Sequence, residues 1–217
     1  MFGGDSMYLG HLGRVPVYVR FDIIFALLLV YMWAPPGPIF FVILLAVFLI
    51  TILLHEMGHA LVATARGMDG VSITLTGLGG FCTYRGNPDP ARKLMISVAG
   101  PLVNFLAAAI AWTIIQYVPI GNPLLAYAVG AFFFLNLVLG ILNSLPIYPL
   151  DGGQALLALL RLRIRPATAN RAVLTVSVVA AVAALLMWFQ YTGGKDFPIF
   201  LVLLFGFLLY QAFLDLR

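Results

Sequence analysis

His55, Glu56 and His59 stand in the order His-Glu-x-x-His, inside an apolar run that extends from Ile39 to Ala65. On a helix that spacing puts two imidazoles one turn apart on a single face, with a carboxylate beside them. Two such imidazoles are a zinc-binding pair, and the neighbouring carboxylate is positioned to act as a general base. From Ile39 to Leu54 the run carries no charged side chain. Ionisable groups in apolar surroundings are costly and mark functional sites. The rest of the chain is therefore read as a scaffold for one metal centre.

Catalytic zinc usually has three protein ligands and an open position. Glu56 is the only glutamate, and the only other histidine, His11, lies upstream. The single cysteine, Cys82, excludes both an intrachain disulfide framework and a multi-cysteine zinc site. The aspartates remain. Asp5, Asp69, Asp89, Asp196 and Asp215 fall in predicted loops or termini, and Asp22 near the end of a first helix. Asp151 follows the proline-rich stretch Leu145–Leu150 and precedes Gly152-Gly153, where irregular backbone at membrane depth could aim a carboxylate inward. The expected set is one zinc ion held by His55, His59 and Asp151. Its water is acidified to a pKa of about 7, and Glu56 takes that water's proton and hands it to a leaving amine. Asn143 is the candidate donor for a developing oxyanion.

The elements that must position these residues follow from composition. Of 217 residues, 63% are hydrophobic and only 9% charged, against about 25% charged in a typical soluble domain. That places the chain in the membrane class, as one integral-membrane domain over residues 1–217. The expected fold is an all-α polytopic membrane protein with about six transmembrane helices, spanning roughly 15–33, 39–66, 91–118, 124–142, 172–191 and 197–214. The first segment lacks a small-residue cleavage site and reads as a span, not a signal peptide. His55 lies roughly 24 Å along the second helix, toward its far end. Val71 to Thr76 alternates apolar and polar residues, and Phe81 to Tyr84 is again β-prone, which predicts a small membrane-associated β-hairpin after helix two. A substrate must expose its amides to be cut, so an extended segment could pair with Ser72, Ile73, Thr74, Leu75 and Thr76.

A net charge of +4 does not here imply nucleic acid. With six spans, Arg14, Arg20, Arg66, Arg85, Arg92, Lys93, Arg161, Arg163, Arg165, Arg171 and Arg217 fall on the side of the termini, and Lys195 alone on the other. That asymmetry places both termini in the cytoplasm.

His55-Glu56-Met57-Gly58-His59, followed by Asn143-x-x-Pro146-x-x-Pro149-Leu150-Asp151-Gly152-Gly153, resembles the site-2 proteases, zinc endopeptidases that cut within membranes. Gly100-Pro101 with Asn104, and Gly79-Gly80 after helix two, share the resemblance. It implies a membrane-anchored protein substrate, such as a transcription regulator or an anti-sigma factor, in a prokaryotic plasma membrane. The chain departs from many members in its expected form, a minimal six-span core with no room for a PDZ insertion or an appended CBS domain. Two alternatives remain open at this level: a metal-ion transporter using the same ligands as a transit site, and a metal-binding membrane protein without protease activity. A transporter would spread ionisable groups along a path or show paired broken helices. In this chain they converge on one place.

Overall fold

The structure, a computed structural model, describes residues 6–77, 79–193 and 199–217. Leu78 of the predicted hairpin turn, Gly194, Lys195 and Asp196 of the predicted last loop, and the first two residues of the sixth predicted span lie outside the described residues. The chain divides into two compact units. One comprises the chain up to Asn87 together with Ala99–Ile141, and the other Pro88–Val98 together with Leu142–Arg217.

The first unit opens with strands β1 (Ser6–Leu12) and β2 (Val15–Arg20), a 3-10 turn at Phe21–Ile23, and helix α1 (Ile24–Trp33). Residues 15–20, expected to begin the first helix, are thus a strand. The reason is visible in Val15-Pro16-Val17-Tyr18-Val19: β-branched and aromatic residues fit a pleated surface, and Val15 and Val17 are buried on one face at period two. Arg20 then bonds Asp22 across the turn. Helix α2 (Pro38–Ala65) starts after Gly37, with proline in its first turn. It leads to β3 (Asp69–Thr76) and β4 (Gly79–Arg85).

The predicted hairpin is therefore half of a four-stranded sheet ordered β1-β2-β3-β4. β2 runs parallel to β3, with Val17, Tyr18 and Val19 opposite Ile73, Thr74 and Leu75, and β3 runs antiparallel to β4. Ile73, Thr74 and Leu75 have a partner strand on both sides. Among the described residues β3 has no open edge along these three positions, and β4 is the outer strand of the sheet on that side. Burial of Val71, Ile73 and Leu75 explains the alternation in the sequence.

Helices α3 (Pro90–Tyr117) and α4 (Pro123–Ser144) follow, and the part of α3 from Ala99 onward packs in this unit with α4 as far as Ile141. Gly100, Asn104, Ala107, Ala108 and Ala111 form one buried stripe on α3 at helical spacing.

The second unit contains α5 (Asp151–Arg161), α6 (Pro166–Tyr191) and α7 (Ile199–Leu216). Ile147 is fully buried with Ala181, Phe205 and Leu208, and Leu145 and Leu150 pack on the same cluster. A second cluster joins Leu157, Ala169, Val173 and Leu216, with Tyr148 against it.

α2, α3, α4 and α6 are each long and apolar enough to cross a membrane, whereas Phe21–Trp33 and Leu201–Leu216 are shorter apolar helices. Large side chains such as Leu28, Tyr31, Trp33, Val42, Leu106 and Val179 are exposed along them. So much apolar surface is foreign to a soluble monomer and suits a hydrocarbon solvent. The chain is a membrane protein.

Candidate metal centre

The lower half of α2 carries Thr51, His55 and His59 four residues apart, so one face presents all three. All three are buried, as is Glu56. His55 Nε2 and His59 Nε2 face each other at 3.2 Å. Two nitrogens each about 2.05 Å from a tetrahedral zinc ion are about 3.3 Å apart. The pair thus already stands at the separation that a shared zinc ion requires.

Gly100 makes room for it. A Cβ at this position would lie 2.3 Å from His59 Nε2 and 2.8 Å from His55 Cε1. At Gly58 a Cβ would lie 2.7 Å from the Ala99 carbonyl oxygen. These two glycines let α2 and α3 approach until backbone faces the rings.

The back of the site is polar and closed. His55 Nδ1 is hydrogen-bonded to Asn104 Oδ1 at 2.5 Å. Asn104 Nδ2 donates to Asn136 Oδ1 at 2.8 Å. Asn136 Nδ2 donates in turn to Thr51 Oγ1 at 3.1 Å and to the Phe132 carbonyl at 2.9 Å. Asn104 and Asn136 are both fully buried. Asn104 stands out in the sequence beside Gly100-Pro101. Asn136 was not anticipated, and its only signal is an amide inside an otherwise apolar helix.

The sheet covers Glu56. A Cβ at Gly80 on β4 would lie 2.7 Å from Glu56 Cγ and 3.0 Å from Glu56 Oε1. Gly80→Ala should push the carboxylate aside without touching the histidines. An ångström of misplacement can cost about 100-fold in rate. We expect turnover to fall by about 10- to 100-fold at unchanged zinc content, measured by peptidase assay and elemental analysis of the same sample.

Asp151 is the first residue of α5, half-buried. Its place is set by the two glycines after it. A Cβ on Gly152 would lie 2.3 Å from the Ser144 carbonyl oxygen, and one on Gly153 would lie 2.3 Å from the Tyr148 amide nitrogen. The chain can double back on itself here only without side chains. The loop before Asp151 is tied to α6, where the Tyr148 amide donates to Ser177 Oγ at 3.0 Å. Burial, and next the Asp215 carboxylate, push the Tyr148 hydroxyl up from the usual range, against the opposing pull of Arg161. Asn143, the expected oxyanion donor, lies in the last turn of α4 and is half-buried.

In the first unit His55 and His59 each offer one nitrogen to a metal ion, and in the second unit Asp151 offers a carboxylate oxygen. Two imidazoles and a carboxylate are a donor set that zinc accepts in catalytic sites. A separate apolar cavity of about 440 Å³, lined by Val30, Trp33, Phe48 and Phe134 among others, includes none of these groups.

Fold and donor set together define a class, a helical membrane protein with a candidate metal centre. Residues 43–128 and 122–186 match the model of peptidase family M50, and the chain belongs to that family. A solved structure of the site-2 protease from Methanocaldococcus jannaschii superposes with a TM-score of 0.67 at 25% identity, covering 98% of this chain and 95% of that one. A zinc metalloprotease of the same archaeon is 32% identical over 149 residues, 67% of this chain and 42% of its own. Stage IV sporulation protein FB of Bacillus subtilis is 31% identical over 113 residues, 51% of this chain and 38% of its own. The chain spans less than half the length of these two curated relatives.

Proposed function

We propose that the protein is an intramembrane zinc endopeptidase that hydrolyses peptide bonds of membrane-anchored protein substrates. The observation that carries the reading is the His55–His59 nitrogen pair at zinc-sharing distance, with Glu56 buried beside it under β4, in a chain of family M50. His55, His59 and Asp151 hold one zinc ion per chain. When bound, zinc supplies the Lewis acidity that acidifies a water and polarises a scissile carbonyl.

The remaining steps belong to the chain's own residues. A Glu56 carboxylate oxygen accepts the water's proton and returns it to the leaving amine. The Asn143 amide donates to the oxygen on which negative charge develops. Burial by the sheet keeps bulk water away from the carboxylate. The substrate enters as an extended segment and pairs with β4, the outer strand, beside Gly80, because Ile73, Thr74 and Leu75 of β3 are paired on both sides.

Six crossings, by α1, α2, α3, α4, α6 and α7 of one integral domain, put both termini and nearly all Arg and Lys residues in the cytoplasm. The apolar helix Phe21–Trp33 is the shortest of the six, below the roughly 20 residues that a full crossing takes. The membrane is a prokaryotic plasma membrane, and a membrane-anchored transcription regulator or anti-sigma factor is the substrate class.

The test is reconstitution in liposomes with a single-span reporter protein. Cleavage should stop on chelation and return with zinc, with new ends inside the span by mass spectrometry. Cleavage that is indifferent to chelator would overturn the proposal.

A further inference from the structure

The hydrogen-bond chain behind His55 has a direction, and the direction can be read from one end. The Phe132 carbonyl can only accept. Asn136 must therefore turn its amide nitrogen toward Phe132, where the separation is 2.9 Å, and the same nitrogen reaches Thr51 Oγ1. Both of its hydrogens are then spent. Asn136 Oδ1 is left facing Asn104 and can only accept, so the Asn104 amide nitrogen must point at it. That turns Asn104 Oδ1 toward His55 Nδ1, which must carry the ring hydrogen. His55 Nε2 then carries no hydrogen, on the side that faces His59 Nε2.

We propose that Asn136 and Thr51 are positioning residues that fix the His55 ring in its metal-ligating tautomer, through Asn104, from a backbone carbonyl of α4. This rests on the metal reading of the His55–His59 pair. Asn136 and Asn104 are fully buried and Thr51 nearly so, so water cannot substitute for a missing partner. Without Asn136, the Asn104 amide is free to turn its nitrogen to His55. The ring would then have to offer Nδ1 as the acceptor and carry its hydrogen on Nε2, which removes the lone pair a metal needs. No step involves a net gain or loss of protons.

Two measurements on the full chain in nanodiscs test this. The first is nitrogen NMR of the zinc-free protein with labelled histidine. Wild type should show His55 with its hydrogen on Nδ1. Asn136→Leu should show a mixture of tautomers, a change that loss of packing alone would not produce. The second is zinc affinity by competition with a chelating dye. Partners behind a metal-bound histidine typically contribute 10- to 100-fold, so we expect a loss of about 10- to 100-fold for Asn136→Leu. Thr51→Val should lose less, and Thr51→Ser, which keeps the hydroxyl, should stay within about twofold of wild type.

Should Asn136→Leu not fold, the Thr51 pair decides, and equal affinities for Val and Ser would overturn the inference. An unchanged tautomer and unchanged affinity in Asn136→Leu would overturn it alone. Wild type with the Nδ1 tautomer but no affinity for zinc would overturn the metal reading and this inference with it.

Discussion

Glu56→Gln is expected to keep its zinc and lose cleavage of a single-span reporter by about 10³-fold or more. The substitution is nearly isosteric, so the carbonyl oxygen and amide fit under Gly80 where the carboxylate did, and the histidines are undisturbed. What disappears is a base. An amide cannot accept a proton from water near neutral pH, and positioned general acid–base groups contribute about 10²- to 10⁴-fold. Because one residue both removes and returns the proton in the proposed mechanism, the loss should sit at the upper end of that range. Zinc content by elemental analysis and product formation by mass spectrometry, on one preparation, separate the two quantities. Intact zinc with wild-type cleavage would end the role assigned to Glu56. A transporter would retain metal flux in the same variant.

The second large effect is expected at Gly100. Adding one methyl there puts a carbon 2.3 Å from His59 Nε2 and 2.6 Å from His59 Cε1. Atoms cannot remain that close, so either the His59 ring rotates away or α3 recedes from α2. The first response destroys the ligand geometry and the second unseats Asn104 from His55. Gly100→Ala should therefore weaken zinc binding by 100-fold or more, about 2.8 kcal/mol at 1.4 kcal/mol per tenfold. Overpacking should also reduce stability by about 1 to 3 kcal/mol. Gly130→Ala is the control on α4, where an added Cβ meets nothing within 4 Å. It should leave zinc affinity unchanged, and equal losses in both variants would mean that helix glycines act through something other than space at the metal centre. Chelator competition measures both.

What the sequence made legible follows from the range of the forces involved. A helix fixes its residues at short spacing, so the common face of His55 and His59 is readable from positions four apart. Length and apolarity likewise mark α2, α3 and α4 to within two residues, whereas α6 starts at Pro166, six residues before the expected 172, inside the basic segment. β1 and β2 were hidden because Val15–Val19 merges with the apolar stretch after it, and hydropathy cannot distinguish a buried strand from the start of a span. The partner that makes β2 a strand, β3, lies beyond two intervening helices, and no local pattern announces a parallel pairing of that reach. Asn136 escaped for a related reason. A lone amide in an apolar helix looks like any interhelical contact, and only the fold supplies Asn104, Thr51 and the Phe132 carbonyl as its neighbours.

The parallel pairing of β2 with β3 also has a consequence in time. β1 and β2 are adjacent in the chain and can form their hairpin within about 1 to 10 µs of emerging. The strand that pairs with the inner edge of β2, β3, ends at Thr76, 56 residues after β2 ends at Arg20, which at about 5 to 20 residues per second takes roughly 3 to 11 s to synthesise. For those seconds the inner edge of the hairpin has no β3 to pair with. The cover that β4 places over Glu56 therefore forms only after the helix bearing that residue has been synthesised.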